Sequence, residues 1–191
     1  MNSEELVSII RTMVEEQCKM DTNMFGYGIW KHHIIYVVKY SKLLAEKLGA
    51  DQEVVEISAL LHDYASIKDK SLYEEHHLHG ATEAEDVLKK FNYPEEKINK
   101  VKDCIIQHRG SKNFKKTTKE AVCIASADAM AHIDQIPSLL HLAYAKRNLG
   151  VNEGASWVLS KIERSWNKLC PEAKEMISKK YESAKTILKC E

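Results

Sequence analysis

Apolar residues recur along most of the chain at spacings of three and four, which is the period of an amphipathic α-helix. No alternating strand pattern lasts more than a few residues, and no Ser/Gly-rich linker or internal repeat divides the chain. Pro94 and Pro171 suit first helical turns, and Thr117 with Glu120 has the spacing of a capping box. The sequence predicts one all-α domain, residues 1–191, of about seven to nine helices. The predicted helices span residues 3–19, 28–48, 52–63, 77–91, 94–108, 118–133, 137–148, 154–169 and 171–189.

Several polar residues continue the apolar rows of these helices. Trp30, His33 and Val37 follow one another at spacings of three and four, which places His33 on the apolar side and His32 on a more polar side. The stretch "EISALLHDYAS" likewise ends an apolar run with a histidine and an aspartate side by side. The polar residues that extend or end an inward-facing row are His33, His62, Asp63, His77, His108 and Asp128.

Burying these groups singly would cost about a few kcal/mol each, and more for the carboxylates. A lone histidine on an apolar face is more often a hydrogen-bonded core residue than a metal ligand, and His62, Asp63 and His108 could simply mark helix ends. Asp128 lies in mid-helix within "AVCIASADAMA", where a carboxylate needs a partner. A shared divalent cation would satisfy the whole set at once. Because adjacent helical side chains point about 100° apart, further ligands for a cation at His62 and Asp63 must come from neighbouring helices, with His33 and Asp128 as natural suppliers.

Two imidazoles and two carboxylates form a mixed nitrogen and oxygen set. Such a set suits Mn, Fe, Co, Ni or Zn better than Mg or Ca, and the composition does not choose among the transition metals.

The charge balance, the N-terminal sequence and the cysteines limit the partners and the cellular location that we expect. Lys plus Arg equals Asp plus Glu at 28 each, so no global field attracts nucleic acid or an anionic membrane. The N-terminus resembles neither a signal peptide nor a membrane span, which predicts a cytoplasmic protein. The five cysteines are odd in number and lack CxxC pairs, so we expect reduced thiols rather than disulfides or a zinc site.

Five pieces of the sequence now carry a family resemblance. They are "HIIYVVKYSKLLAEKLGAD", "ALLHD", "HHLHGATEAEDVL", "IIQHRG" and "ASADAMAHID", and the similarity covers residues 30–134. In this order they resemble the HD-domain superfamily of metal-dependent phosphohydrolases, whose motif is a His, then His-Asp, then auxiliary His residues, then a distal Asp. The resemblance implies a helical bundle of the HD type, with helices 137–189 completing the core.

The resemblance also implies roles for individual residues. The metal ligands it implies are His33, His62, Asp63 and Asp128. In various members of the family the residues corresponding to His77 and His108 bind a second metal, contact phosphate or assist proton transfer. The metal chemistry itself suggests that Asp63, if it ligates with one oxygen, could orient the attacking water with the other. Members close to this pattern usually have Arg three residues after the first His, whereas Tyr36 stands here.

A basic loop follows His108. The stretch "RGSKNFKKTTK" has five basic residues and no acid, so we expect it to bind phosphate through Arg109 and Lys112, although a solvated loop would have the same composition. The loop "YASIKDKSLYEE" could act as a lid. His132 is expected to support the site rather than bind metal, while His76, His79 and His141 are expected at the surface or without a role. The C-terminal helices are expected to cover the core or form a homodimer face.

The expected function is hydrolysis of a small phosphorylated substrate, such as a nucleotide, at a phosphomonoester or pyrophosphate bond. The attacking water would be activated by the metal. Two alternatives stay open: a di-iron oxygenase of the HD type, and a non-catalytic ligand-binding module of the same fold.

Overall fold

The computed structural model describes residues 2–109 and 115–189. Within these ranges the chain forms ten α-helices, three short π- or 3-10-helical segments and no β-strand, which confirms the all-α prediction. The helices are α1 (Ser3–Lys19), α2 (Ile35–Leu48), α3 (Gln52–Leu61), α4 (Tyr64–Lys68), α5 (His76–Lys90), α6 (Glu95–Gln107), α7 (Lys119–Asp134), α8 (Ile136–His141), α9 (Val151–Asn167) and α10 (Pro171–Leu188). A π-helical segment, Trp30–Ile34, leads into α2; another, Leu142–Lys146, follows α8; a 3-10 turn, Lys70–Leu72, follows α4.

Helix α7 lies at the centre of the bundle. Eleven of its residues are buried, most of them alanine or other small side chains, so α2, α6, α9 and α10 can all pack closely against it. Asp128 stands in the middle of this helix, surrounded by apolar neighbours. Because most of the helix is buried, the Asp128 carboxylate lies in the interior of the bundle. In the described part of the chain no helix is both long and apolar enough to cross a bilayer.

The start of α7 differs by one residue from the prediction. Thr118, not Thr117, caps the helix, and its hydroxyl accepts the backbone N–H of Ala121 at 3.1 Å. Glu120 does not close a capping box; its Oε1 accepts the backbone N–H of Asp51 at 2.9 Å. This contact ties the start of α7 to the start of α3.

The chain breaks its helical path at the His-Asp pair. Helix α3 ends at Leu61, and Asp63 adopts φ −106° and ψ 6° before α4 begins. The break turns two neighbouring side chains toward the same interior space. Gly80 of α5 lets the helices approach here, since a Cβ on it would lie 3.2 Å from Ile105 Cγ2 and 3.5 Å from the His62 carbonyl oxygen.

Candidate functional site

The histidines and aspartates meet at a cavity of about 870 Å³. This size suits a ligand of several hundred daltons. The cavity is lined on one part by His33, Asp63, His76, His108 and Asp128, and on another by basic residues of α9 and of the segment that precedes it. His62 lies beneath the surface and is fully buried.

A first cluster combines His33, His62 and Asp128, whose ligand atoms all lie within 4.8 Å of one another. The Nε2 atoms of His33 and His62 are 3.2 Å apart, and His33 Nε2 is 3.5 Å from Asp128 Oδ1. Asp63 Oδ2 lies 3.4 Å from the Nε2 atoms of both histidines. The structure thus brings together the four side chains for which the sequence predicts metal binding.

A second cluster adjoins the first and consists of Asp63, His76 and His108. Asp63 Oδ1 lies 3.6 Å from His76 Nε2 and 3.9 Å from His108 Nε2, which are 3.3 Å from each other. Asp63 therefore presents one carboxylate oxygen to each cluster. This is the arrangement of a carboxylate that can bridge two cations.

Backbone hydrogen bonds orient three of the imidazoles. His62 Nδ1 lies 2.8 Å from the Ala59 carbonyl oxygen, and His76 and His108 make the same contact with the carbonyl three residues earlier. A carbonyl oxygen only accepts, so each Nδ1 carries a hydrogen and donates it. In the neutral ring the lone pair then lies on Nε2, which faces the cluster.

Burial and charge shift the pKa values of these groups in opposite directions. Burial opposes charge on His62, but the carboxylates of Asp63 and Asp128 outweigh it and raise the pKa of His62 to about 9. Burial, reinforced by His62, lowers the pKa of His108 to about 3. Burial also disfavours ionised Asp63, yet His62 and His33 hold the pKa of this carboxyl well below its usual range. The site thus holds carboxylates ionised around neutral pH and retains positive charge beside them.

Lys168, which follows α9, fixes the second oxygen of Asp128. Its Nζ donates to Asp128 Oδ2 at 2.5 Å and to the His108 carbonyl oxygen at 3.1 Å. Burial disfavours the ionised Asp128, but Lys168 and then His132 outweigh it and keep the pKa of this carboxyl well below its usual range. Because Lys168 engages Oδ2, the other oxygen, Oδ1, faces His33.

The two clusters fit divalent cations. The Nε2 atoms of His76 and His108 face one another at 3.3 Å, and neutral rings with Nδ1 protonated would set lone pair against lone pair there. A cation between them resolves this repulsion and also balances the buried carboxylates. Mixed imidazole and carboxylate donors match the transition metals expected from the sequence rather than an all-oxygen magnesium shell.

The other site residues of the sequence analysis lie as follows. His77 is fully buried, as the helical phase predicts, but its Nδ1 is 3.2 Å from Arg109 Nη1; within the described chain the cavity lining includes His76 and not His77. Arg109 lines the cavity, and its guanidinium donates to the Glu74 carbonyl oxygen. Lys112 lies outside the described residues.

Two sets of residues were missed by the reasoning from sequence. His76, which was expected at the surface or without a role, occupies the second cluster with 13% of its side chain exposed. The sequence indicated His77 because it continues the apolar row of α5. His76 is the first residue of that helix, where a side chain can point into the site without belonging to the row.

The C-terminal region, whose helices were expected to cover the core, also contributes Lys161, Arg164 and Lys168 to the cavity. Their spacings of three and four form a helical stripe of cations, and this signal was present in the sequence.

Comparisons with known proteins bear on the family and the fold. The family model for the HD domain matches residues 30–132. The Lin1889 protein from Listeria innocua has a similar structure, with a TM-score of 0.74 at 20% identity over 98% of this chain and 94% of its own. Bacillus subtilis YpgQ gives a TM-score of 0.71 at 18% identity over 98% and 94% of the two chains, and 0.65 over 92% and 90% in its complex with ADP.

A third similar structure is a predicted HD superfamily hydrolase from an uncultured Thermotogales bacterium. Its TM-score is 0.62 at 21% identity, over 98% of this chain and 95% of its own. The TM-scores show that these proteins share the fold of this chain.

Proposed function

Because the chain belongs to the HD domain family, we propose that it is a metal-dependent phosphohydrolase that acts on a small phosphorylated compound. The observation that carries the proposal is the pair of His/Asp clusters sharing Asp63 in a cavity that basic side chains also line. The complex of the structurally similar YpgQ with ADP supports a phosphorylated ligand, and a nucleotide in particular.

We assign the first cation to His33, His62, Asp63 and Asp128, and a second to Asp63, His76 and His108. A bound divalent ion supplies two kinds of chemistry: it lowers the pKa of a coordinated water, and it polarises a phosphoryl oxygen. Reconstitution with Mn, Fe, Co, Ni and Zn in turn would identify the metal that supports activity.

The residues of the chain prepare the reaction in distinct ways. If only the first cluster holds a cation, Asp63 would bind it through Oδ2, and Oδ1 would stay available to orient a water. His108 is neutral near pH 7 because of its lowered pKa, which suits a ligand better than a proton donor at that pH. Arg109 can contact phosphate oxygens from the cavity wall, and His77, in contact with the guanidinium, can hold it in place.

Metal reconstitution tests the function directly. We would strip the protein with a chelator, add each candidate metal, and measure release of phosphate and pyrophosphate from a panel of nucleotides and sugar phosphates. We expect metal-dependent release by the wild type and by Asp103→Ala, which changes an exposed aspartate of α6. Asp63→Ala should be inactive. Equal release by Asp63→Ala and the wild type would refute the site.

The second cluster also favours one other activity, that of a di-iron oxygenase. Two irons held by the same six residues would bind in the adjacent clusters with Asp63 between them. Two equivalents of iron with substrate-dependent oxygen uptake and without phosphate release would select the oxygenase. Binding of phosphorylated compounds without turnover under any metal would instead indicate a ligand-binding module.

A further inference from the structure

The cavity has a second chemical region, formed outside the stretch that the HD family model matches. Helix α9 and the segments directly before and after it line the cavity with five cations, whereas the family match ends at residue 132. With Arg109, the lining contains six Lys or Arg residues against three Asp or Glu residues. In a chain of zero formal charge this is a local excess of positive charge. The five cations are Lys146, Arg147, Lys161, Arg164 and Lys168.

Two of these five cations already have partners. Lys168 is bound to Asp128, and the Arg147 guanidinium lies 4.8 Å from the ring centre of Trp157. The others, Lys146, Lys161 and Arg164, make neither a hydrogen bond nor an ion pair with any residue in the ranges 2–109 and 115–189. The positive charge of this region is thus left for a ligand to balance.

Lys161 is the most informative of these side chains. Burial, together with the nearby Lys168, lowers its pKa, although Asp128 acts in the opposite direction. Asp63 also acts on the Lys161 ammonium, so this group lies within electrostatic reach of the carboxylates of both clusters. The Lys161 side chain is partly buried and forms no ion pair with a residue of the described ranges, so an anionic ligand in the cavity would offset the cost of burying its charge.

Arg164 stands one turn further along α9. Residues at i and i+3 share a helix face, so both cations can contact the same group in the cavity. A guanidinium binds phosphate oxygens through two parallel hydrogen bonds, while an ammonium acts as a point charge. A volume of about 870 Å³ also has room for more than the phosphate group that would react at the clusters.

We propose that Lys161 and Arg164 form a second anion subsite, which binds a phosphate of the substrate other than the one that reacts at the His/Asp clusters. The substrate class is then a phosphoanhydride chain, a diphosphate or a triphosphate, rather than a simple monoester. This inference rests on the proposed phosphohydrolase function, and it adds a determinant of specificity that the HD motif does not contain.

Binding of inorganic triphosphate to the metal-free protein tests the subsite without requiring turnover. Isothermal titration calorimetry in the presence of EDTA would compare the wild type with the double variant Lys161→Met/Arg164→Gln. Loss of two charge-assisted contacts should weaken binding at least about tenfold. The matched control is Lys90→Met/Lys179→Met, which removes two exposed lysines and the same net charge. It should bind triphosphate like the wild type.

The variants also report on folding. Lys161→Met replaces a partly buried amine with an apolar side chain of similar length, so the melting temperature of this variant should equal or exceed that of the wild type. Arg164→Gln, at an exposed position, gives an independent test if the double variant is unstable. Triphosphate affinity that is unchanged in Arg164→Gln and in the folded double variant would overturn the subsite, as would an equal loss in the lysine control.

Failure of the subsite and failure of the function are distinguishable. Metal-dependent phosphate release together with unchanged triphosphate binding in the variants would leave the function standing and remove the subsite. Triphosphate binding that depends on Lys161 and Arg164, without metal-dependent hydrolysis of any compound, would keep the subsite and remove the function.

Discussion

The ion pair between Asp128 and Lys168 allows a quantitative prediction about the metal-free protein. Its atoms lie 2.5 Å apart, and only 8% of the Asp128 side chain and 11% of the Lys168 side chain are exposed. We consider three variants: Asp128→Asn, Lys168→Met and the double variant. Each single change leaves a buried charge without its main partner, whereas the double change removes both charges.

The expected energies follow from this burial. Coulomb's law gives about 7 kcal/mol of attraction for unit charges 2.5 Å apart at an effective dielectric constant of about 20. Desolvation of both ions offsets most of that gain, so replacing the whole pair should change stability little, while breaking it from one side costs about 3–5 kcal/mol. We therefore expect each single variant to lose about 3–5 kcal/mol, the double variant to lose less than either, and a coupling energy of at least about 3 kcal/mol.

Urea unfolding of chelator-treated protein at pH 7 measures these free energies. The control is the same cycle on Glu96 and Lys100 of α6, where the atoms lie 2.8 Å apart but the side chains are 81% and 40% exposed. An exposed pair at i and i+4 should show a coupling of only about 0.3–0.5 kcal/mol. If the losses of the two single variants at Asp128 and Lys168 simply add up in the double variant, the reasoning from burial is refuted.

Three further predictions concern protonation, packing and metal content. The metal-free protein should become less stable as the pH rises from 6.5 through 9. The pKa of His62 is about 9 in the folded protein, against an ordinary value of 6.5. The proton on His62 therefore stabilises the fold fully below pH 6.5, and this contribution is lost as the pH rises through 9. Urea midpoints measured across this range check the sign, and rising midpoints would contradict it. Gly154→Ala should lower the free energy of unfolding by about 1–3 kcal/mol, because a Cβ at residue 154 would overlap the Tyr144 ring. An unchanged melting temperature would count against this packing. His76→Ala should bind one equivalent of Mn²⁺ fewer than the wild type, whereas His79→Ala, at an exposed position, should bind both equivalents. Elemental analysis after dialysis measures the bound metal. Two equivalents in His76→Ala would exclude the second cluster as a metal site.

Much of the fold could be predicted because helical burial has a simple period. Trp30 and Val37, in the row that contains His33, are buried. Each later predicted helix corresponds to an observed one within a few residues, except that the helix predicted at 137–148 is divided into α8 and a π-helical segment. The loop after Asp63 holds a short helix, α4, that was not predicted. A segment of five residues, Tyr64–Lys68, is too short for its period to be read.

The site was predictable only where a polar residue interrupts an apolar row. Asp128 satisfies this condition, because a carboxylate within a helix of small apolar residues has no other explanation than a partner. His76 does not satisfy it, since it begins its helix. Lys161 and Arg164 looked like ordinary surface cations because periodicity reports which face is polar and not what that face encloses. Only the packing of α9 against α7 places them in the cavity.

The contact between Lys168 and Asp128 has a consequence for how the protein is made. The ammonium follows its carboxylate by 40 residues. At a synthesis rate of about 5–20 residues per second, the carboxylate therefore leaves the ribosome about 2–8 s before its partner. During that interval the nascent chain already contains every histidine of both clusters but not the ammonium that pairs with Asp128 of α7. Asp128 can therefore gain its partner from within the chain only after synthesis has passed residue 168.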